Sequence, residues 1–254
     1  MIASTPFPGN AAHASVPPGH RLYVIGDVHG RLDLLEDLVR RIRDDNDRRP
    51  TAEVRLILLG DLIDRGPDSA AVVTYCRNIA RHSRRCIILK GNHEAAMVLA
   101  LRGNRRMLAA WLRMGGDITL QSWGVDVRSI HDGASRKLLA EARKAVTDDV
   151  LDWMDARPLS LQIGGYLFVH AGIRPHVALA DQQEEDLLWI GDPFLESADD
   201  HGVIVVHGHT IDPDGPIFRH NRIGIDTGAY HTDRLTALVL ERSSVGVLTT
   251  GTPG

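Results

Sequence analysis

Cysteine is scarce in this chain. Its 254 residues include only Cys76 and Cys86, too few for a disulfide framework. One falls in an expected helix and the other in an expected strand, so both read as buried free thiols. Positive charge is not in excess either. Lys and Arg number 29 against 33 Asp and Glu, a formal net charge of -4, which lacks the basic footprint of a nucleic-acid or membrane-surface protein. No apolar run approaches the length of a membrane span. The first twenty residues have no basic segment followed by an apolar core, so no secretory signal is expected, and the expected setting is reducing and cytoplasmic. What is present suits a globular domain with a sizeable core: 43% of residues are hydrophobic and 24% charged. Residues 1–20, rich in Ala, Pro and Ser, read as a flexible extension. Residues 21–254 read as one domain.

The apolar pattern alternates between two periods. Residues 21–25 (RLYVI), 54–59 (VRLILL) and 86–89 (CIIL) are short apolar runs that end near glycine, the mark of buried strands. Leu32, Leu35, Leu38, Val39 and Ile42 recur at helical spacing. Pro67-Asp68-Ser69 can open a second helix, to about residue 81, and a third begins near Glu94. Residues 104–158 read as a mostly helical insertion over the site, broken at Gly115-Gly116 and at 122–133. Its Met and Trp residues, Trp111 and Trp123 among them, fit core or cap packing better than substrate contact. After Pro158 the pattern is strand-rich: 166–169, 203–206, 222–225, 235–240 and 245–248. Two packed sheets with helices outside, an α/β/β/α arrangement of the α+β class, accommodate this order.

The chemistry gathers at the strand ends. Gly26-Asp27-Val28-His29-Gly30, Gly60-Asp61-Leu62-Ile63-Asp64-Arg65-Gly66 and Gly91-Asn92-His93-Glu94 each follow an apolar run. His170-Ala171-Gly172, His207-Gly208-His209-Thr210 and Asp226-Thr227-Gly228 follow later ones. In α/β sheets the carboxyl ends of strands are where ligands collect. Asp27 and His29, two apart in extended chain, face the same side and can reach one ion. Asp61 can bridge two. Asn92, His170 and one of His207 and His209 can complete a second. Carboxylate and imidazole donors without thiolate favour Mn, Fe, Zn or similar ions, and two such ions clamp phosphoryl oxygens. Each motif alone has an ordinary reading, as a turn, a helix cap or a core histidine. Ligand-type residues at five strand ends together do not.

In this order, GDVHG, GDLIDRG, GNHE, HAG and GHT resemble the phosphoprotein phosphatase family of calcineurin-like metallophosphoesterases, in its compact bacterial and phage-type form. The resemblance spans residues 26–228. It implies a β-sandwich of two mixed sheets flanked by helices, with a dinuclear metal centre in which Mn²⁺ is expected first and Fe, Zn, Mg, Ni or Co are alternatives. Carried over by motif, Asp27 and His29 bind one metal, Asp61 bridges, and Asn92, His170 and His209 bind the other. His93 becomes the general acid, Asp64 its carboxylate partner, and Arg65 and Asn92 phosphate contacts. The nucleophile implied is a hydroxide bridging the metals. One departure stands out: Gly191 occupies the position after Trp189-Ile190 where many bacterial relatives carry a second phosphate-binding arginine. Arg174 is the replacement candidate.

The activity expected on these grounds is a serine/threonine protein phosphatase acting on phosphoproteins or phosphopeptides, with no nucleic-acid or membrane partner. The alternative is a dinucleoside polyphosphate hydrolase, which resembles this family in every metal motif. Glu94, where the nucleotide branch tends to carry Asp, favours the phosphatase. A catalytically silent binding module on the same fold is the third reading.

Overall fold

The apolar runs form strands packed on both faces. The structure is a computed structural model that describes residues 5–6, 14–127 and 136–251. In chain order the described strands are β1 (Thr5–Pro6), β2 (His20–Ile25), β3 (Glu53–Leu58), β4 (Cys86–Ile88), β5 (Ser160–Ile163), β6 (Tyr166–Val169), β7 (Ile204–His207), β8 (Ile217–Phe218), β9 (Arg222–Gly224), β10 (Thr236–Glu241) and β11 (Ser244–Thr249). They make a six-stranded sheet ordered β1-β11-β10-β2-β3-β4 and a five-stranded sheet ordered β5-β6-β7-β9-β8. Both are mixed. β2, β3 and β4 run parallel, as do β6, β7 and β9, while the remaining pairs are antiparallel.

Strand alternation sorts the side chains into layers. Leu22 and Val24 of β2 join Leu238 and Leu240 of β10 against Tyr166, Phe168, Val206 and Ile223, forming the core between the sheets. The intervening Tyr23 and Ile25 face a helical layer with Leu35, Leu38, Val72 and Trp111. That layer comprises α1 (Leu32–Asp47), α2 (Ser69–His82), α3 (Asn92–Leu101) and the insertion helices α4 (Arg105–Trp111), α5 (Asp117–Ser122), α6 (Arg136–Ala145) and α7 (Asp148–Asp155). On the far side Leu167, Val169 and Val205 pack with Leu187 and Phe194, from α8 (Glu184–Trp189) and α9 (Asp192–Leu195); α10 (Ala229–Thr232) follows β9. Each fully buried aliphatic or Phe side chain contributes roughly 1.5–3 kcal/mol. The architecture is therefore α/β/β/α.

Parallel strands send their carboxyl ends to the same side, and crossover helices return the chain for the next. The ends of β2, β3 and β4 thus meet those of β6, β7 and β9, and the site lies there.

Some segments differ from the sequence expectation. Residues 14–20, assigned to a flexible extension, are partly core: Ala14 and Val16 are buried between the sheets, and Val16 N–H donates to the Arg242 carbonyl at 2.8 Å. Residues 1–4 and 7–13 of that extension lie outside the described residues, as do 128–135, which overlap the second half of the expected break. The insertion is divided by a π-helical turn, Leu112–Gly116, in which Gly115 has φ 108°. A Cβ there would stand 2.6 Å from the Arg65 backbone nitrogen, so only glycine lets the insertion approach so closely. Among the described residues no helix is long and apolar enough to cross a membrane.

Candidate metal centre

The ligand-type residues sit in tight turns whose backbone is itself unusual. His29, Asp61, Asp64, Arg65 and His209 all have positive φ, between 45° and 72°. Non-glycine residues seldom adopt that region, and each costs of order 1–3 kcal/mol unless its surroundings enforce it. Such backbone aims side chains inward at the strand ends.

Two groups converge on Asp61. His29, Asp61 and His93 place one ligand atom each within 4.8 Å of one another, and so do Asp61, His170 and His209. From the Asp61 Oδ2, Nε2 of His170 lies at 3.4 Å, that of His29 at 3.7 Å and that of His93 at 3.8 Å. The Asn92 amide joins the second group, 2.7 Å from His170 Nε2 and 3.2 Å from His209 Nδ1. Asp27 approaches from β2. Its Oδ2 accepts the His209 backbone N–H at 3.0 Å, while its buried Oδ1 has no hydrogen-bond partner. A Cβ on Gly208 would stand 1.9 Å from that Oδ1, so glycine is required beside it.

Hydrogen bonds set the histidine tautomers. A carbonyl only accepts, so His29 Nδ1–H donates to Ile63 O at 2.8 Å and His170 Nδ1–H to Leu59 O at 3.0 Å. Each Nε2 then presents a lone pair to the cluster, the usual orientation of a metal ligand. Burial drives the same result: it pushes His29 down to about 3 and His209 down to about 4, and lowers His170. These rings are neutral at neutral pH. Two of the buried carboxyls, Asp27 and Asp226, behave oppositely. Burial raises Asp27 well above its ordinary range, helped by the Asp226 and Asp61 charges, and raises Asp226 to about 6. Neutral imidazoles facing crowded, underbonded carboxylates form a donor set that fits divalent cations.

The residues expected to handle the proton and the phosphate lie alongside. His93 Nδ1 meets Asp64 Oδ2 at 2.6 Å. Burial opposes charge on His93, but the Asp61 charge and the Asp64 hydrogen bond outweigh it and its pKa is raised. His93 Nε2 faces Arg65 Nη2 at 3.3 Å. Arg65 in turn lies over the Tyr230 ring at 4.8 Å. Arg174 stands apart from these groups: Asp186 takes its Nε–H at 2.8 Å and binds its Nη2 as well. His207 is buried, with Nδ1 3.0 Å from the Gly208 carbonyl.

Sequence reasoning passed over four residues. Trp111 Nε1–H and Thr119 Oγ1–H donate to the Asp64 carboxylate at 2.8 and 2.6 Å. Both come from the insertion, and no local pattern marks them. Asp226 was visible as a strand-end Asp-Thr-Gly that none of the five motifs claimed, and Tyr230 follows it. Glu94 was noticed for the wrong reason. Its two oxygens accept N–H bonds from Asp61, Leu62 and Gly91, all at 2.8–2.9 Å. It fastens the second loop to α3 and is buried, so Glu at this position reports loop packing and not the substrate.

A two-sheet sandwich with two ligand groups sharing one carboxylate defines a metallophosphoesterase. The chain matches the calcineurin-like phosphoesterase model over residues 20–247 and belongs to that family, whose members use dinuclear metal centres. It is 31% identical over 175 residues, 67% of this chain, to the symmetrical bis(5'-nucleosyl)-tetraphosphatase of Acidovorax sp. (strain JS42), of which 49% is covered. It is 27% identical over 158 residues, 62% of this chain, to the enzyme of the same name from Janthinobacterium sp. (strain Marseille), of which 46% is covered. The chain thus spans about half the length of the curated relatives it matches. In fold it is similar to a solved structure described as "a putative diadenosine tetraphosphatase", with TM-score 0.64, 20% identity, and 94% of this chain and 97% of that one covered. The relatives' names overturn the expectation of a serine/threonine protein phosphatase with a phosphoprotein partner. Glu94, the residue that favoured it, is occupied structurally.

Proposed function

We propose that this metallophosphoesterase hydrolyses a phosphoanhydride bond of dinucleoside polyphosphates. The observation that carries the reading is the likeness to symmetrical bis(5'-nucleosyl)-tetraphosphatases over 62–67% of the chain, joined to the donor set described above. Asp27, His29 and Asp61 would hold one divalent cation, and Asp61, Asn92, His170 and His209 the other, with Mn²⁺ the first candidate. Bound there, the cations supply Lewis acidity that neutralises phosphoryl charge and acidifies water.

The chain's own groups act on the phosphate around them. Arg65, steadied by the Tyr230 ring, offers its planar fork to phosphoryl oxygens. His93, whose pKa is raised by the Asp61 charge and the Asp64 hydrogen bond, would donate a proton from Nε2 to the departing oxygen. A departing nucleotide phosphate, with a pKa near ~6, needs that proton less than an alkoxide does. Loss of His93 therefore costs less on an anhydride than on an alkyl phosphate.

The test uses Mn²⁺-loaded protein with diadenosine tetraphosphate and a phosphoserine peptide. The nucleotide is expected to exceed the peptide in kcat/KM by about tenfold or more, with two molecules of ADP as the products on chromatography. Equal turnover, or preference for the peptide, overturns the reading.

A further inference from the structure

We infer that Trp189 and the groove opened by Gly191 bind a nucleobase of the substrate, an inference that rests on the dinucleotide reading above. Trp189 closes α8 and is 40% exposed, whereas most large apolar side chains of the described structure are buried. It is also next to the metal centre. Its ring meets that of His209 edge to face, with centroids 6.3 Å apart. An exposed indole beside a phosphate-handling site has an aromatic face ready for an aromatic ligand.

The groove beside it has the dimensions of a small-molecule site. Trp189, Gly191, Arg174, Gln183 and Pro193 line a cavity of about 540 Å³, within the roughly 300–1,000 Å³ of such sites. Gly191 keeps it open. A Cβ built at Gly191 has no heavy atom within 4 Å, so the space above it is free, and an arginine there would project into it. Arg174 forms another part of the lining. Asp186 holds its Nε and Nη2, which fixes the guanidinium plane. A fixed guanidinium and an indole on one groove suit a flat π-system. The residue that looked like a loss of phosphate grip is thereby a gain of room for the nucleoside. Stacking of this kind reads the ring face and not its edge, so it tolerates different bases.

The experiment measures competitive inhibition constants for ADP and for inorganic phosphate against p-nitrophenyl phosphate, with Mn²⁺-loaded protein. Phosphate reports the metal centre alone, whereas ADP adds a second phosphate, the ribose and the base; pyrophosphate, measured beside them, separates the phosphate part of that gain. Trp189→Ala is expected to weaken ADP relative to phosphate by roughly fivefold to a hundredfold. Trp189→Phe should recover most of that, and Gly191→Leu, which fills the groove without adding charge, should weaken ADP relative to phosphate as well. ADP should also quench tryptophan emission in the parent, and much less in Trp189→Phe. An ADP-to-phosphate ratio unchanged in both Trp189→Ala and Gly191→Leu overturns the inference. Failure of the dinucleotide reading is separate: the parent would leave diadenosine tetraphosphate intact while the ratio still falls in the variants.

Discussion

Glu94 shows how one buried side chain shapes the centre without touching substrate. Its carboxylate gathers three main-chain N–H groups from two loops, so Asp61 and Asn92 are held in fixed relation. Glu94→Gln replaces one acceptor oxygen with a donor that faces those N–H groups. Groups that orient metal ligands typically govern about 10–100-fold in affinity, and titration calorimetry with Mn²⁺ should show a loss of that size. Asp64 governs a proton instead. Its hydrogen bond and charge raise the His93 pKa, so Asp64→Asn lowers it, and the protonated ring is lost at a lower pH. On a phosphate ester with a poor leaving group, the alkaline limb of the kcat–pH profile should therefore move to lower pH. An unmoved limb removes His93 from the proton transfer. At this scale the ligand-type residues were legible because Asp, His and Asn follow apolar runs. Glu94 misled because its carboxylate binds backbone N–H groups.

Among the elements, the insertion departs furthest from what local sequence suggests. Periodicity predicts helices, and helices form, but nothing in Trp111 or Thr119 indicates that they donate to a carboxylate some fifty residues earlier in the chain. Those hydrogen bonds are long-range products of the fold. Asp64 is fully buried, so removing a donor leaves an under-satisfied charge. Thr119→Val should lower stability by about 1–3 kcal/mol in urea unfolding and lower kcat through His93. A variant of parental stability would mean that water replaces the hydroxyl. Strands were legible where the run is continuously apolar, as in β6 and β7, whose residues are all buried. The edge strands β5 and β8 escaped detection because β5 (SLQI) mixes polar residues and β8 (Ile217–Phe218) is only two residues long. Residues 14–20 escaped because Ala14 and Val16 are isolated apolar residues among prolines and serine.

At the scale of the molecule, the carboxyl ends of strands from both sheets gather at one edge of the sandwich, and the ligand-type residues come from both sheets. Asp27, Asp61 and Asn92 follow strands of the six-stranded sheet; His170 and His209 follow strands of the five-stranded one. An ion held by both binds the folded state and not the unfolded chain. At a hundredfold excess over Kd it should add about 2.7 kcal/mol of stability, seen as a Tm raised by Mn²⁺ and lowered again by chelator. A Tm indifferent to metal would mean that the donors do not close on one ion. The shared Asp61 has a further consequence. It acts as a keystone between two arches: a chain divided near Pro158 would hold each arch without its counterpart, and recovery of tight Mn²⁺ binding on mixing would report that the two had locked together.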